Sequence, residues 1–139
     1  MNRNEIQEDA RKYLGVPFAH QGRSLAGMDC AGLLCQVATD FGVPFEDRLG
    51  YDRVPVGQTF LTHMLKFLPI NRTGLLAPGS IAVIRESRFP CHVGIFADRN
   101  GERTLIHAYL RRGQIVEERW TPSQEFGLVM VLDFPGVTD

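Results

Sequence analysis

Apolar residues near the start of the chain recur with the period of an α-helix. From Asn4 to Leu14 they fall three and four positions apart, and acidic residues lie in the early turns, where the helix dipole favours them. Gly15 and Pro17 then end the pattern. The sequence therefore predicts a first helix from Asn4 to Leu14, with an apolar stripe made of Ile6, Ala10, Tyr13 and Leu14.

Two further helices are predicted downstream. The segment from Cys30 to Phe41 is more apolar than the first, and Gly42 and Pro44 stop it. A third helix is predicted from Gln58 to Leu68. Loop or irregular structure is predicted for the two intervening segments, from Pro17 to Met28 and from Val43 to Val56.

The pattern changes after Pro78 and Gly79. Short runs rich in β-branched and aromatic residues follow, with turn-forming residues at 99–101 and 111–113. Helices followed by an antiparallel meander predict one α+β domain that covers residues 1 to 139. The expected strands are Ser80 to Ile84, His92 to Ala97, Thr104 to Leu110, Gln114 to Trp120 and Leu128 to Phe134.

Composition and charge exclude several classes of protein. Of the 139 residues, 44% are hydrophobic and 22% are charged, as in ordinary globular domains. The formal net charge of -1 provides no basic field that would attract nucleic acid or anionic lipid. The N-terminal residues lack the apolar segment of a secretory signal, and no stretch approaches the length of a membrane span. We therefore expect the protein to stay in the compartment in which it is made, unless another component carries it out.

Cys30 stands where a nucleophile would be placed. Asp29 is a good N-cap residue, so Cys30 falls at the first position of the second predicted helix. The helix dipole and the unpaired N–H groups there favour thiolate over thiol, and the thiolate is the nucleophilic form. Ala31 and Gly32 are small, which would leave room for the backbone of a substrate.

The other cysteines have simpler interpretations. Three cysteines are too few for a disulfide framework. Cys35 lies about 140° around the helix from Cys30, so the two should not face each other, and Cys35 is predicted to fill the core. A zinc site that combines the three cysteines with His92 is disfavoured, because there is no C-x-x-C pair and residues 91 and 92 would point to opposite faces of a strand. The sequence predicts no metal and no cofactor.

Two histidines fall on neighbouring predicted strands. His92 precedes and His107 follows a turn near Asn100 and Gly101. A two-residue loop at 100–101 would put position 92 opposite 109, with His107 diagonal to it on the same face, and a loop at 99–100 would pair the two histidines directly. A three-residue loop would separate them onto opposite faces. The sequence leaves these registers open.

Cys30, His92 and His107 together provide the groups of a nucleophile–base–orienter triad. A histidine beside a thiolate-prone cysteine acts as base, and a second polar group fixes its tautomer. The alternative is that both histidines are ordinary strand residues. His63 is predicted on an exposed helix face, and His20 lies in the loop before Cys30.

Several short motifs follow one another along the chain: PFAHQG from Pro17, GMDCAGL from Gly27, Pro78-Gly79, HVGI from His92 and IHA from Ile106. Together they resemble the NlpC family of cell-wall cysteine peptidases. They occur in the family's order over nearly the whole chain, and the cysteine motif combined with the two histidine strands is more specific than any one of them.

The resemblance implies a papain-like α+β fold, with N-terminal helices packed on an antiparallel meander. It implies a peptidase that cleaves the γ-D-glutamyl–diamino-acid bond of peptidoglycan stem peptides. Cys30 would be the nucleophile, His92 the general base and His107 the orienting residue, with the backbone N–H of Cys30 as oxyanion donor. Further substrate-binding or oxyanion residues are expected among Asp29, Phe18, His20 and Gln21.

The sequence departs from the family pattern at three positions. Phe18 stands where the family usually has tyrosine, so that hydroxyl is either dispensable here or replaced by His20 or Gln21. Ala31 replaces the usual serine. Ser80 replaces the aspartate after Pro-Gly, which questions the cap or turn role of that carboxylate.

The segment from Phe18 to Arg23 looks more like the family members carried by tailed phages. This predicts a virion tail-tip enzyme that opens the cell wall during genome delivery and contacts other tail-tip proteins. The alternatives are a structural tail protein without catalysis, and an amidase or acyltransferase that uses the same thioester chemistry. Residues from Pro135 to Asp139 are predicted to form a short tail. Candidate contacts for tail partners are Phe45, Tyr51, Phe126 and Phe134.

Overall fold

The computed structural model describes residues 1–43, 68–71, 75–86 and 89–138. The predicted third helix lies outside the described residues except for Leu68, which is buried and not helical. His63, Phe45 and Tyr51 also lie outside them, as does the side chain of Cys91. Within the described ranges no helix is long and apolar enough to cross a membrane.

Two helices form near the N-terminus as predicted. Helix α1 spans Arg3–Arg11 and begins with a capping box, in which Asn2 and Glu5 satisfy each other's backbone N–H groups. It ends earlier than expected, and Leu14 is 36% exposed rather than part of the buried stripe. Helix α2 spans Cys30–Asp40, with Asp29 as its N-cap.

The described residues also form seven strands. Two form a short hairpin where a loop was expected, β1 at Arg23–Ser24 and β2 at Gly27–Met28. The other five form one antiparallel sheet of order β6-β5-β4-β3-β7. Its strands are β3 at Ile81–Glu86, β4 at Phe89–Arg99, β5 at Glu102–Tyr109, β6 at Gln114–Arg119 and β7 at Leu128–Leu132. The five predicted runs are confirmed, with ends shifted by a few residues.

A third helix that was not predicted, α3, spans Pro122–Gly127 and joins β6 to β7. Its capping box pairs Thr121 with Gln124, and Pro122 occupies its first turn. The sequence carried this signal, because a threonine three residues before a glutamine, with proline between them, is typical of a helix start.

The two faces of the sheet have different neighbours. On one face, alternate residues of the strands join the apolar residues of α1 and α2 in the main core. On the other face, Ala82, Ile84 and Leu105 form a smaller cluster with Trp120, which packs edge-on against Phe96. The α+β architecture is therefore confirmed, with both N-terminal helices on one side of the sheet.

Two predictions about the C-terminal half need correction. Phe134 is only 1% exposed and belongs to the main core, so it is not a surface residue, whereas Phe126 is 95% exposed. The C-terminal residues are not a loose tail, because Thr138 forms a parallel bridge to Asn2 and donates its N–H to the carbonyl oxygen of Met1.

Glu117 on β6 ties α1 to the sheet. Its side chain is 1% exposed and accepts hydrogen bonds from Arg11 at 3.0 Å and from the hydroxyl of Thr104 at 2.7 Å. Arg99 adds a further contact at 3.0 Å. Burial alone would raise the pKa of this carboxyl, but the bonds from Arg11 and Thr104 outweigh it and hold the pKa below its ordinary value.

We predict that Glu117→Gln lowers the free energy of unfolding by about 3 kcal/mol, because it leaves the Arg11 guanidinium without its buried counter-charge. The matched control is Glu102→Gln, which removes an exposed ion pair with Arg119 from the same sheet. The control should change the free energy by less than about 0.5 kcal/mol. Chemical denaturation measures both, and equal effects would contradict the assigned role of Glu117.

Candidate active site

The start of α2 is held by the Asp29 carboxylate. One oxygen accepts hydrogen bonds from the Gly32 N–H at 2.8 Å and from Arg23 at 2.9 Å. The other accepts the backbone N–H of Gln21 at 2.9 Å. Asp29 is 3% exposed. Its carboxylate therefore caps α2, as predicted, and joins the preceding loop to the helix. A contact between Asp29 and substrate stays a prediction.

Gly32 lets that loop pack directly on the first turn of the helix. A Cβ at position 32 would overlap the carbonyl oxygen of Gly22 and would come within 2.9 Å of the Met28 Cβ. The space that we expected Gly32 to leave for a substrate is thus occupied by the chain's own loop. This close packing fixes the position of Cys30 relative to the loop.

Cys30 is the first residue of α2 and is half-buried against the main core. A thiol at this position lies among the N–H groups that have no acceptor within the helix, which favours the thiolate. The negative charge of Asp29 beside it would oppose the thiolate, but the ion pair with Arg23 offsets that charge. Cys35 is buried as predicted, and neither cysteine forms a disulfide.

The two predicted histidines are brought together by the β4–β5 hairpin. Arg99 pairs with Glu102, so the loop consists of Asn100 and Gly101, both with positive φ. This is the first of the three registers that the sequence allowed. Nε2 of His92 lies 2.7 Å from Nδ1 of His107, and the side chains are 8% and 2% exposed.

Gly94 allows this approach between the strands. A Cβ at position 94 would lie 3.0 Å from the Cβ of His107 and 2.8 Å from Cδ1 of Leu105. The ladder between β3 and β4 shifts register between Ile84 and Arg85, next to His92. Both features sit beside the histidine pair, where irregular pairing can redirect a side chain.

Two groups that the sequence analysis missed complete the histidine cluster. Glu118 on β6 places a carboxylate oxygen 3.1 Å from Nε2 of His107. The Tyr109 ring stacks on His107 with 5.1 Å between centroids. Because side chains alternate along β6, Glu118 lies on the histidine face and Glu117 on the helix face. The sequence alone does not show which of these two adjacent glutamates faces the histidines.

Burial keeps both histidines neutral near pH 7. Together with the smaller effect of the nearby His107, it lowers the pKa of His92 to about 3. Burial also lowers the pKa of His107, although the hydrogen bond to Glu118 opposes this. A neutral imidazole has one N–H and one lone pair, so each ring can both donate and accept a proton.

The histidine pair lines a cavity of about 330 Å³. The side chains lie on the face of the sheet opposite to α1 and α2, because His92 and His107 share their face with Ile84 and Leu105. Cys30 is not among the described residues that line the cavity. The described lining consists of Ile84, Arg85, His92, His107, Tyr109, Glu118, Arg119, Thr121, Ser123 and Gln124.

The remaining predicted site residues lie in the loop before α2. Phe18 is half-buried against the main core, and its N–H donates to the carbonyl oxygen of Gly113 at 2.8 Å. His20 is half-buried, and Gln21 has a positive φ of 60 and contacts Asp29 through its backbone. The loop therefore borders Cys30 rather than the histidine cavity.

Ser80 takes over the turn role that the missing aspartate had put in question. Its hydroxyl oxygen accepts the N–H of Ala77 at 3.1 Å and lies 3.3 Å from a guanidinium nitrogen of Arg3. Ser80 is fully buried. The replacement thus preserves the turn before β3.

No protein-family model and no curated protein matches this chain. Among solved structures, the NlpC/p60 domain of the peptidoglycan hydrolase SagA has a TM-score of 0.65 at 19% identity, over 96% of this chain and 100% of that one. An NlpC/P60 family protein from Bacillus cereus gives 0.69 at 15% identity, over 94% of this chain and 39% of that one. An N-acetylmuramoyl-L-alanine amidase from Bacteroides uniformis gives 0.60 at 13% identity, over 94% and 96%.

These similarities show that the chain has the NlpC/P60 fold, as the motifs implied. The chain spans about two fifths of the length of the B. cereus protein. It spans a similar share of a lipoprotein-like relative from Staphylococcus aureus, at 42%.

The depressed pKa of His92 predicts acid sensitivity. In the unfolded chain His92 binds a proton below pH 6.5, whereas in the folded protein it stays neutral to about pH 3. Between these values the unfolded state holds the extra proton, so the free energy of unfolding falls as pH falls, by about 1.4 kcal/mol per pH unit. In His92→Gln the free energy of unfolding should depend less steeply on pH, because this contribution is absent.

Chemical denaturation across this pH range, on both proteins, measures the difference. Asp9, whose pKa burial raises to about 6, titrates in the same range with the opposite sign. Because Asp9 is present in both proteins, its contribution cancels in the comparison. Parallel curves for the two proteins would contradict a buried, neutral His92.

Proposed function

We propose that this protein is a peptidoglycan hydrolase that acts through Cys30 with the help of His92 and His107. The observation that carries the proposal is the 2.7 Å contact between His92 and His107 in a chain that also places Cys30 at a helix start. The NlpC/P60 fold supports it, because a solved domain of that fold is described as part of a peptidoglycan hydrolase.

The proposed reaction is an acyl transfer. His92 accepts the thiol proton of Cys30. The resulting thiolate attacks the carbonyl carbon of a peptide bond in the cell wall, and the oxyanion forms near the N–H groups at the start of α2. The amine leaves with a proton from His92, and a thioester remains on Cys30. His92 then takes a proton from water, which hydrolyses the thioester and releases the new carboxylate.

The proposal sets a geometric requirement. For His92 to serve as base, Cys30 Sγ must come within hydrogen-bond reach of the imidazole nitrogen that His107 does not occupy. The two residues are carried by different elements, with Cys30 on α2 and His92 on β4, and the side chain of His92 lies on the face of the sheet opposite to the helices. A direct test of their coupling therefore decides between a catalytic pair and two separate sites.

The bond that we propose is the one between γ-D-glutamyl and the diamino acid of the stem peptide. The support is the motif resemblance to cell-wall peptidases. A second candidate is the bond between muramic acid and the peptide, which is favoured by the fold similarity to a B. uniformis protein described as N-acetylmuramoyl-L-alanine amidase. Product masses separate the two bonds.

We further propose that the protein acts at the tip of a phage tail, in contact with other tail proteins. The support is the resemblance of the segment from Phe18 to Arg23 to phage-borne members of the family. Mass spectrometry of purified phage particles tests this location independently of catalysis. Detection of the protein in the particles would support it, and absence from them would contradict it.

Purified peptidoglycan is the substrate that tests the function. We expect the wild-type protein to release stem-peptide fragments, and Cys30→Ala to release none, because the mutant cannot form a thioester. Cys35→Ala is the matched control, since it removes a buried thiol from the same helix and should leave cleavage in place. Mass spectrometry of the fragments identifies the bond.

Two outcomes would contradict the proposal. Cleavage that survives in Cys30→Ala would exclude the cysteine mechanism. Absence of cleavage by the wild-type protein, both alone and in intact particles, would favour a structural tail protein that keeps the fold.

A further inference from the structure

Glu118 contacts two different groups with its two carboxylate oxygens. Oε1 lies 3.1 Å from Nε2 of His107. Oε2 accepts hydrogen bonds from Arg112, at 3.0 Å from Nη2 and 3.3 Å from Nε. Glu118 thus links an arginine in the turn between β5 and β6 to the histidine pair.

These contacts fix where the protons of the pair reside. An ionised carboxylate can only accept a hydrogen bond, so Nε2 of His107 must carry the proton. A neutral imidazole has only one N–H, which leaves Nδ1 of His107 as an acceptor. His92 must then donate from Nε2 across the 2.7 Å contact, and its own lone pair lies on Nδ1.

We propose that Glu118 is a positioning residue that sets the tautomers of both histidines and so makes Nδ1 of His92 the proton acceptor of the site. The series of hydrogen bonds runs from Arg112 through Glu118 and His107 to His92. The catalytic consequence rests on the proposed function, whereas the tautomers themselves do not.

The opposite arrangement is electrostatically unfavourable. If His107 carried its proton on Nδ1, the Nε2 lone pair would face the carboxylate oxygen at 3.1 Å in a site where His107 is 2% exposed. His92 would then hold a proton on Nδ1 and could not act as a base there. Arg112 lies 3.0 Å from the other oxygen of Glu118 and provides a counter-charge for the carboxylate.

No other carboxylate lines the cavity within the described part of the chain. Two further arginines border it, Arg85 on β3 and Arg119 on β6, and Arg119 is paired with Glu102. The other polar groups of the lining are the phenol of Tyr109 and the hydroxyl and amide groups at the start of α3. Glu118 is therefore the group with the charge and position to orient the pair.

Long-range proton–nitrogen NMR spectra of nitrogen-15-labelled protein at neutral pH report the tautomer of each histidine directly. We expect His92 and His107 each to carry the proton on Nε2 in the wild-type protein. Spectra of His92→Gln and His107→Gln assign the signals. A proton on Nδ1 of either histidine in the wild-type protein would overturn the proposal.

Two substitutions test the role of Glu118 itself. Glu118→Gln should give a mixture of tautomers for both histidines, because an amide can donate as well as accept. Glu118→Lys replaces the acceptor by a donor and should favour the proton on Nδ1 in both. The control Glu102→Gln removes a carboxylate from the neighbouring strand and should leave both tautomers unchanged.

Unchanged tautomers in both Glu118 variants would overturn the proposal, even if the wild-type protein shows the expected ones. If the tautomers behave as expected but the wild-type protein does not cleave peptidoglycan, the proposed function fails and the role of Glu118 stands. If the protein cleaves, the pH profile of kcat in Glu118→Gln should shift relative to that of the Glu102→Gln control, with KM little changed.

Discussion

The register of the β4–β5 hairpin is the constraint on which the candidate site depends. Asn100 and Gly101 form its loop, and the pairs that follow place Gly94 beside His107 and bring the imidazole of His92 within 2.7 Å of it. Because side chains alternate along a strand, a slip of one residue would send one histidine to the helix face. The pairing of β5 with β6 then places Thr104 beside Glu117 on the helix face and Glu118 beside His107 on the other face.

The sheet therefore keeps two sets of charges apart. On the helix side, Glu117 and Arg11 hold α1 to β6 in a buried ion pair. On the other side, Arg112 and Glu118 orient a pair of neutral histidines. Adjacent glutamates thus stabilise the fold and order the candidate site separately, because successive residues of a strand face opposite directions.

The start of α2 packs more closely against the preceding loop than its small residues suggested. Small residues around Cys30 were expected to make room for substrate, but Gly32 makes room for the carbonyl of Gly22. Both carboxylate oxygens of Asp29 likewise accept hydrogen bonds within the chain, from Gln21, Gly32 and Arg23. The outcome is that hydrogen bonds and close packing tie the loop to the start of α2, next to the thiol.

Much of this arrangement could be predicted from the sequence, and the misses have physical reasons. Periodicity located α1, α2 and the strands, and the Asn100-Gly101 turn limited the histidine registers to a few. Only the observed pairing of Arg99 with Glu102 identifies which of these registers the hairpin adopts. Glu118 was missed because cross-strand neighbours depend on the connection between β5 and β6, and α3 was missed although Thr121 and Gln124 carry a capping signal.

The central claim is that the thiol of Cys30 and the imidazole of His92 act on each other. The rate of alkylation of Cys30 by iodoacetamide, followed by mass spectrometry as a function of pH in the wild-type protein and in His92→Gln, tests this directly. If His92 accepts the thiol proton, the wild-type rate below neutral pH should exceed that of the variant by about tenfold or more, since each unit of thiol pKa changes the thiolate fraction by that factor. Superimposable rate profiles would contradict the account and would separate the cysteine from the histidine pair.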